Sequence, residues 1–272
     1  SNHYRIGGIK LSLDGSPQGK TAWLTQHYQV PPEGRGSDYA GYPSMSTEDL
    51  DKYVDMSYDN GWQVLVHSNG DAATDQFVSA ICKAKNKHSE VDIRPVIIHA
   101  QIIRDDQLDA IKALNVIPSF MSVHTYYWGD WHRDSVLGEE RARRISPARS
   151  SLQREILYTA HNDAPVTLPN AMMIISSQVN RTTRSGRVLG EEQRVSVMDA
   201  LKSITINAAY QYTEESRKGS LEVGKIADMV ILDKNPLVID PKDINSIKIL
   251  ETIKAGKSVF SVRNGNSVVT KI

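Results

Sequence analysis

Four side chains able to bind a metal ion, Lys10, His67, His99 and Asp163, each stand at the end of an apolar run: GGIKLSLDG, WQVLVHSNGDA, RPVIIHAQ and YTAHNDAPV. Imidazole and carboxylate suit zinc and related divalent ions, and an ion with an open coordination position lowers the pKa of a water to ~7. The chemistry such a set supports is hydrolysis. One histidine so placed says little, but four residues at corresponding points of successive strand-helix units point to one shared site. Lys10 is the unusual member. Burial in an apolar strand favours its neutral amine, which can act as a base or react with carbon dioxide to give a carbamate able to bridge two metals. The plainer alternative has Lys10 reaching out to the rim or pairing with Asp14.

The elements that must position these residues follow a βα rhythm. From Ile6 to Asp163 short β-branched runs alternate with amphipathic helical stretches, the pattern of a parallel sheet covered by helices. In a parallel barrel the C-terminal strand ends face one mouth, which would bring His67, His99 and Asp163 together. A Gly/Pro-rich stretch from residue 15 to Pro43 is too long for a tight connection and reads as an active-site loop. A helix capped by Ser46 or Thr47 carries Leu50 and Val54 on one face and stops at Asn60-Gly61. A second runs from about Ala72 to Lys87, and a third opens at Asp105 with Leu108, Ile111 and Leu114 aligned. Strands are expected in VDIRPVIIHA, VIPSFMSVH and ILYTAHNDAPV, with Pro147 able to start a helix before the last. The five strands and their helices account for about five-eighths of a (β/α)8 barrel, which takes ~250 residues.

Beyond Gln193 the pattern changes. VSVMDALKSITINAAYQYT predicts a helical pair, and GSLEVGKIADMVILDKNP a Gly-bounded turn leading into a strand. The closing stretch reads as a hairpin-like section with turns at Gly256 and Asn264-Gly265. The expected architecture is therefore α/β: a partial TIM (β/α)8 barrel over residues 1–215, and strands of a small β-sandwich domain over 216–272.

Composition narrows the function classes. The chain has 272 residues, enough for a full core, and its 32 Lys and Arg balance its 32 Asp and Glu. Such neutrality gives no field to attract nucleic acid or an anionic membrane. Cys82 is the single cysteine, so disulfide frameworks and thiolate zinc sites are excluded. It falls in FVSAICKAK, whose helical spacing predicts a small core residue. No apolar run approaches the ~20 residues of a membrane span, and no signal peptide opens the sequence. A cytoplasmic or a periplasmic location fits equally.

The set GIKLSLDGS, VHSNGDAA, IIHAQ, HTYYWGDWH, HNDAPV and GSLEVGKIADMVILDKNP resembles the metal-dependent amidohydrolase superfamily, in particular its YtcJ-like branch, which includes N-substituted formamide deformylases. The resemblance runs from Ile6 to about Phe260, and its most specific parts are HTYYWGDWH and GSLEVGKIADMVILD. It implies a small-molecule amide-type substrate and one or two divalent ions, zinc first among them. It further implies that His67 and His99 bind metal, that Lys10 is carboxylated and bridges, and that Asp163 binds metal and shuttles protons as general acid and base. His124, Tyr126, Trp128 and His132 would contact substrate from a loop after the seventh strand, a packed structural loop being the alternative. Asn69, Gly70 and Asp71 read as a turn and helix cap, with no catalytic part for Asp71.

Members of that superfamily ordinarily carry a His-x-His pair on the first barrel strand, and this sequence has none. The resemblance then starts just before the fourth strand, which predicts that the first three barrel units are missing and that the chain is a weakened or inactive form of its parent. Open sheet edges invite pairing with another copy, so a homo-oligomer is expected. The competing reading is a non-catalytic fragment or assembly module lacking a complete metal site. A phosphate-handling barrel is a weaker third, since no Gly-rich phosphate loop follows a late strand.

Overall fold

The computed structural model describes residues 4–263 and 266–269; the expected Asn264-Gly265 turn lies outside the described residues. Five parallel strands form one sheet in chain order: β1 (Ile9–Ser12), β2 (Val64–Ser68), β3 (Val96–His99), β4 (Ile117–Phe120) and β5 (Thr159–Ala160). Between them lie α1 (Thr47–Asn60), α2 (Asp71–Lys87), α3 (Asp105–Ala113) and then α4 (His124–Trp131), which continues as a π-helical turn, His132–Leu137. Short helices α5 (Gly138–Ala142) and α6 (Ala148–Gln153) lead into β5, and α7 (Ala171–Asn180), α8 (Val197–Ser203) and α9 (Ile206–Gln211) follow it. A separate antiparallel sheet, in chain order, holds β6 (Met229–Leu232), β7 (Ile249–Lys254), β8 (Lys257–Arg263) and β9 (Asn266–Val269).

The helix boundaries follow local chemistry. Ser46 caps α1 by accepting from the Asp49 amide at 3.1 Å, and Gly61 ends it in the left-handed region at φ 63°. The core packs the helix-facing side of the sheet, Val64, Val66 and Ile97, against Leu50, Val54, Phe77, Ile81, Leu108 and Ile111. Cys82 corrects its expectation, for it is exposed. The buried residues Phe77, Ile81 and Ala84 set the inward face of α2, and Cys82 falls one position, ~100° of rotation, off it.

Two further expectations change. HTYYWGDWH is helical, not a loop, and it buries His124 and His132. The segment from residue 15 to 43 forms no regular element but has a core of its own. Ala22, Leu24 and Tyr28 pack on Val136, Leu137, Ala142, Ile145 and Leu189, so the stretch buttresses the π turn rather than lying loose over the sheet.

Candidate functional site

Strand register decides which side chains share a face. Ser12 pairs with His67, Lys10 with Leu65, His67 with Ile98, and Ile98 with Ser119. With a period of two, Lys10, Ser12, His67 and Ser119 therefore stand on the side away from the helix-packed core. His99 pairs with Ser68, one position out of step, and regular alternation would turn it the other way. The backbone corrects this. His99 has φ 79° and Ala100 φ 44°, both positive in non-glycine residues, a conformation costing on the order of 1–3 kcal/mol each. That break at the end of β3 lets the His99 ring meet His67, with His99 Nε2 3.2 Å from His67 Nδ1.

The contacts extend into a row of imidazoles. His161 Nε2 lies 3.2 Å from His99 Nδ1, and His161 Nδ1 lies 2.9 Å from the Ser119 hydroxyl. At the other end His67 Nε2 meets the Gly15 carbonyl at 3.1 Å. Because that oxygen only accepts, the His67 proton sits on Nε2 and its Nδ1 keeps a free lone pair. Asn69 Nδ2 donates to the same oxygen at 2.9 Å and lies 3.1 Å from His67 Nε2; with the His67 proton on Nε2 both nitrogens donate to Gly15 O, whereas an Nδ1–H ring would accept from Asn69 and give up the Gly15 contact.

Burial keeps these rings neutral. Desolvation lowers His99 far below the ordinary histidine range, helped by His161, His67 and His124. Desolvation, then Lys10 and His67, brings His161 to about 4. His67 is lowered by desolvation, with the Gly15 hydrogen bond opposing. Behind the row, His124 stacks edge-on to Trp128 at 5.3 Å and to His132 at 5.8 Å. Burial takes His132 to about 3 and His124 well down, its neighbour His132 adding to the effect. His124 Nδ1 and His132 Nε2 are buried with no hydrogen-bond partner among the described residues.

Of the residues singled out in the sequence, His67 and His99 are in contact. Lys10 lies on the exposed edge strand β1, yet crowding lowers its ammonium pKa by desolvation while Asp163 opposes. The alternative pairing with Asp14 is absent. Asp163 is exposed, adopts φ 58°, and acts electrostatically on both Lys10 and His67. Tyr126 and Trp128 are half-buried beside the fully enclosed His124 and His132. Asp71 accepts from the Thr25 hydroxyl and pairs with Arg104, in keeping with a structural part.

Two residues escaped sequence reasoning. His161 sits two positions before Asp163, and that spacing was the available signal. Asp14 is buried and accepts from the amides of Asn69, Gly70 and Trp23 at 3.0, 2.7 and 3.0 Å, with His67 Nε2 3.6 Å away. Burial raises its pKa to about 6 against the pull of those three amides. Asp14 thus ties the end of β1 to the turn that carries His67. Gly70 completes that turn, for a Cβ there would lie 1.8 Å from the Trp23 carbonyl oxygen. Gly70→Ala is expected to lower stability by about 1–3 kcal/mol, the cost of overpacking, read as a fall in the urea midpoint. An unchanged midpoint would refute the tight fit.

Other candidate places hold different chemistry. Among the described residues, the trio whose ligand atoms all lie within 4.8 Å of one another is Asp55, Asp59 and His88, on α1 and just after α2. There Lys87 Nζ already pairs with Asp55 at 2.5 Å, and the group reads as a surface ion-pair network. An apolar groove of about 680 Å³ runs between α9 and the antiparallel sheet, lined by Ala208, Tyr212, Met229 and Ile253, and contains none of the imidazoles. The imidazole row is the candidate site, lying at the carboxyl ends of the strands where ligands of parallel α/β sheets bind.

A row of imidazoles thus lies at the C-terminal ends of parallel strands of an α/β scaffold, beside Lys10 of β1 and Asp163 after β5. The sequence profile of the Amidohydrolase family matches residues 1–260, and the chain belongs to that family. It is 26% identical over 265 residues to YtcJ of Bacillus subtilis strain 168, covering 95% of this chain and 48% of that protein. It is 24% identical over 200 residues to the N-substituted formamide deformylase of Arthrobacter pascens, covering 72% and 36%. Among solved structures, an uncharacterized metal-dependent hydrolase from Pyrococcus furiosus superimposes with a TM-score of 0.73 at 30% identity, covering 87% of this chain and 46% of that one. The chain spans less than half the length of these relatives.

Two imidazole donors in contact could share a divalent ion, although among the described residues they belong to no trio of donors within 4.8 Å of one another. His67 Nδ1 and His99 Nε2 face each other across 3.2 Å on neutral rings, and metal ligation requires neutral imidazole. Lys10 and Asp163 add a second amine-or-carbamate and carboxylate pair close enough to act on one another electrostatically.

Proposed function

We propose that the chain is the metal-binding part of an amidohydrolase that cleaves amide-type C–N bonds of small molecules, with His67, His99, carboxylated Lys10 and Asp163 as its ligands. The observation that supports this most is the 3.2 Å approach of His67 Nδ1 and His99 Nε2, made possible by a strained strand end, in a chain of the Amidohydrolase family. A divalent ion held there, zinc first, would polarise the substrate carbonyl and lower the pKa of the attacking water. Asp163, exposed at the strand end, would take the proton from that water and deliver it to the leaving nitrogen. His124 and His132, with Tyr126 and Trp128, would border the substrate. The N-substituted formamide deformylase among the relatives supports an amide carbon as the centre of attack.

On this reading the five-stranded sheet is a segment, about strands four to eight, of a (β/α)8 barrel over residues 1–215, and residues 216–272 belong to a β-domain. The chain matches less than half the length of these relatives, which leaves room for further ligands outside it, so isolated it would bind zinc weakly and turn over slowly. The exposed edge strand β1, together with exposed Leu221, Val223 and Val230, supports self-association. The rival reading, a non-catalytic module, rests on the same fractional coverage. Among the described residues no helix is long and apolar enough to cross a membrane.

Metal analysis by native mass spectrometry separates the two. With zinc supplied in excess to overcome weak binding, near-stoichiometric uptake with Lys10 heavier by one carbon dioxide is the expected result; a chain that stays metal-free with plain lysine under those conditions would sink the hydrolytic reading. His99→Ala should weaken zinc binding by ~100-fold or more, beyond what loss of an outer partner costs, measured by competition with a chelator. Unchanged zinc affinity would remove His99 from the ligand set.

A further inference from the structure

His161 is the one imidazole of the row that the proposed ligand set does not use, although it contacts a proposed ligand directly. Proton positions along the row are fixed by its two ends. Gly15 O accepts from His67 Nε2, so His67 Nδ1 must itself accept, and the donor facing it is His99 Nε2–H. His99 Nδ1 is then a lone pair, met by His161 Nε2–H, and His161 Nδ1 is a lone pair that accepts from the Ser119 hydroxyl. Each ring is neutral, holds one proton and has both nitrogens satisfied. Only one arrangement meets all four of these contacts; its reverse, with every proton on Nδ1, would exchange the Gly15 contact for one from Asn69 Nδ2 to His67 Nε2 at 3.1 Å.

A cation between His67 and His99 requires the opposite at His99, because its Nε2 must then present a lone pair. His99 would carry its proton on Nδ1 and donate to His161 Nε2, while His161 would carry its own on Nδ1 and donate to Ser119 Oγ, whose hydrogen turns away. No proton is gained or lost overall; each of the two rings shifts one proton from Nε2 to Nδ1. Ser119 can take part in both states because a hydroxyl both donates and accepts. His67 stays as it is, held by a backbone carbonyl.

We propose that His161, oriented by Ser119, is a positioning residue that sets the tautomer of His99 and reverses its hydrogen bond when a metal binds. This rests on the reading of His67 and His99 as metal ligands. Outer partners of this kind orient a ligating histidine and raise its basicity. Here the partner is an uncharged imidazole-hydroxyl pair on β4 and the end of β5, which can invert, where a carboxylate could only accept.

The test is nitrogen-15 NMR of the histidine rings in the chain, metal-free and with zinc alone. Without metal, His67, His99 and His161 should all be Nε2–H tautomers, and Ser119→Ala should mix the tautomers of His161 and His99 while leaving His67 unchanged. With zinc, His99 and His161 should both become Nδ1–H. His161→Ala should raise the zinc Kd by ~10–100-fold, and His161→Gln, whose amide oxygen can accept from His99, should recover much of the loss. A His161 that keeps Nε2–H in the zinc form, or a Ser119→Ala chain with unchanged tautomers, overturns the proposal. Failure of the parent chain to take up zinc would count against the metal ligands instead, and the metal-free comparison would still judge the role of His161 and Ser119.

Discussion

Lowering the pH from 7 to 5 is expected to remove a large part of the chain's folding stability. Histidines whose folded pKa is depressed contribute stability that is complete above the unfolded value near 6.5 and is lost as the pH falls below it, because the unfolded chain takes up protons that the folded one refuses. His99, His124 and His132 are almost fully enclosed, and burial depresses all three, His132 to about 3 and His99 further. His99 and His132 each then favour the unfolded state by ~2 kcal/mol at pH 5, and His124 adds to them in the same direction. His161, about 4 but less enclosed, adds to this. Asp14 works in the other direction. Its folded pKa is raised to about 6, so protonation between pH 6 and 5 returns ~1 kcal/mol. The histidines win, and the net loss of about 3 kcal/mol or more is a large part of the ~5–15 kcal/mol that holds an ordinary domain. Urea unfolding at pH 7, 6 and 5 measures it; a midpoint that holds steady or rises toward pH 5 would mean these rings are not neutral in the folded chain. Zinc bound to the folded state should oppose the loss at pH 6, where ligation still competes with protons.

Asp163→Asn, made in the longer protein, is expected to reduce kcat by about 10²–10⁴, the usual contribution of a positioned acid-base group. The fold should be indifferent. Residue 163 is exposed and sits at φ 58°, where asparagine is among the best-tolerated residues. Loss of its negative charge should also let the Lys10 pKa fall further, since Asp163 is what opposes desolvation there. The measurement is kcat on an amide substrate at saturation beside a thermal melt. Wild-type turnover with an unchanged melt would assign the proton transfer elsewhere.

How far the sequence could be read depended on the physics at each position. Strand ends were legible because apolar runs stop abruptly at His67 and His99, and α1 was legible because Ser46 and Gly61 punctuate it through local hydrogen bonds. His161 was obscured because β5 is only two residues long, so no periodic run announces it. Nor does the sequence contain the turn at His99: alternation alone sends its side chain to the wrong face, and the positive φ that returns it is imposed by tertiary contacts of Ala100 and Ile102 with the end of β2. Aromatic residues have modest helix propensity, which is why the segment holding His124 and His132 read as a loop. Burial of its polar side against the row overrides that preference. Cys82 missed by one helical step.

The hydrogen bond from His67 to Gly15 is made to a backbone carbonyl, a group that every amino acid possesses. An alanine scan would therefore never delete the acceptor alone: His67→Ala removes the whole donor ring, and at Gly15 itself an added methyl would strike the Thr21 hydroxyl at 2.1 Å, disturbing the loop. The contact that decides which nitrogen His67 offers is thus beyond the reach of side-chain mutagenesis. Only replacing the amide at that point, by an ester through chemical synthesis, would weaken the carbonyl and make its contribution measurable.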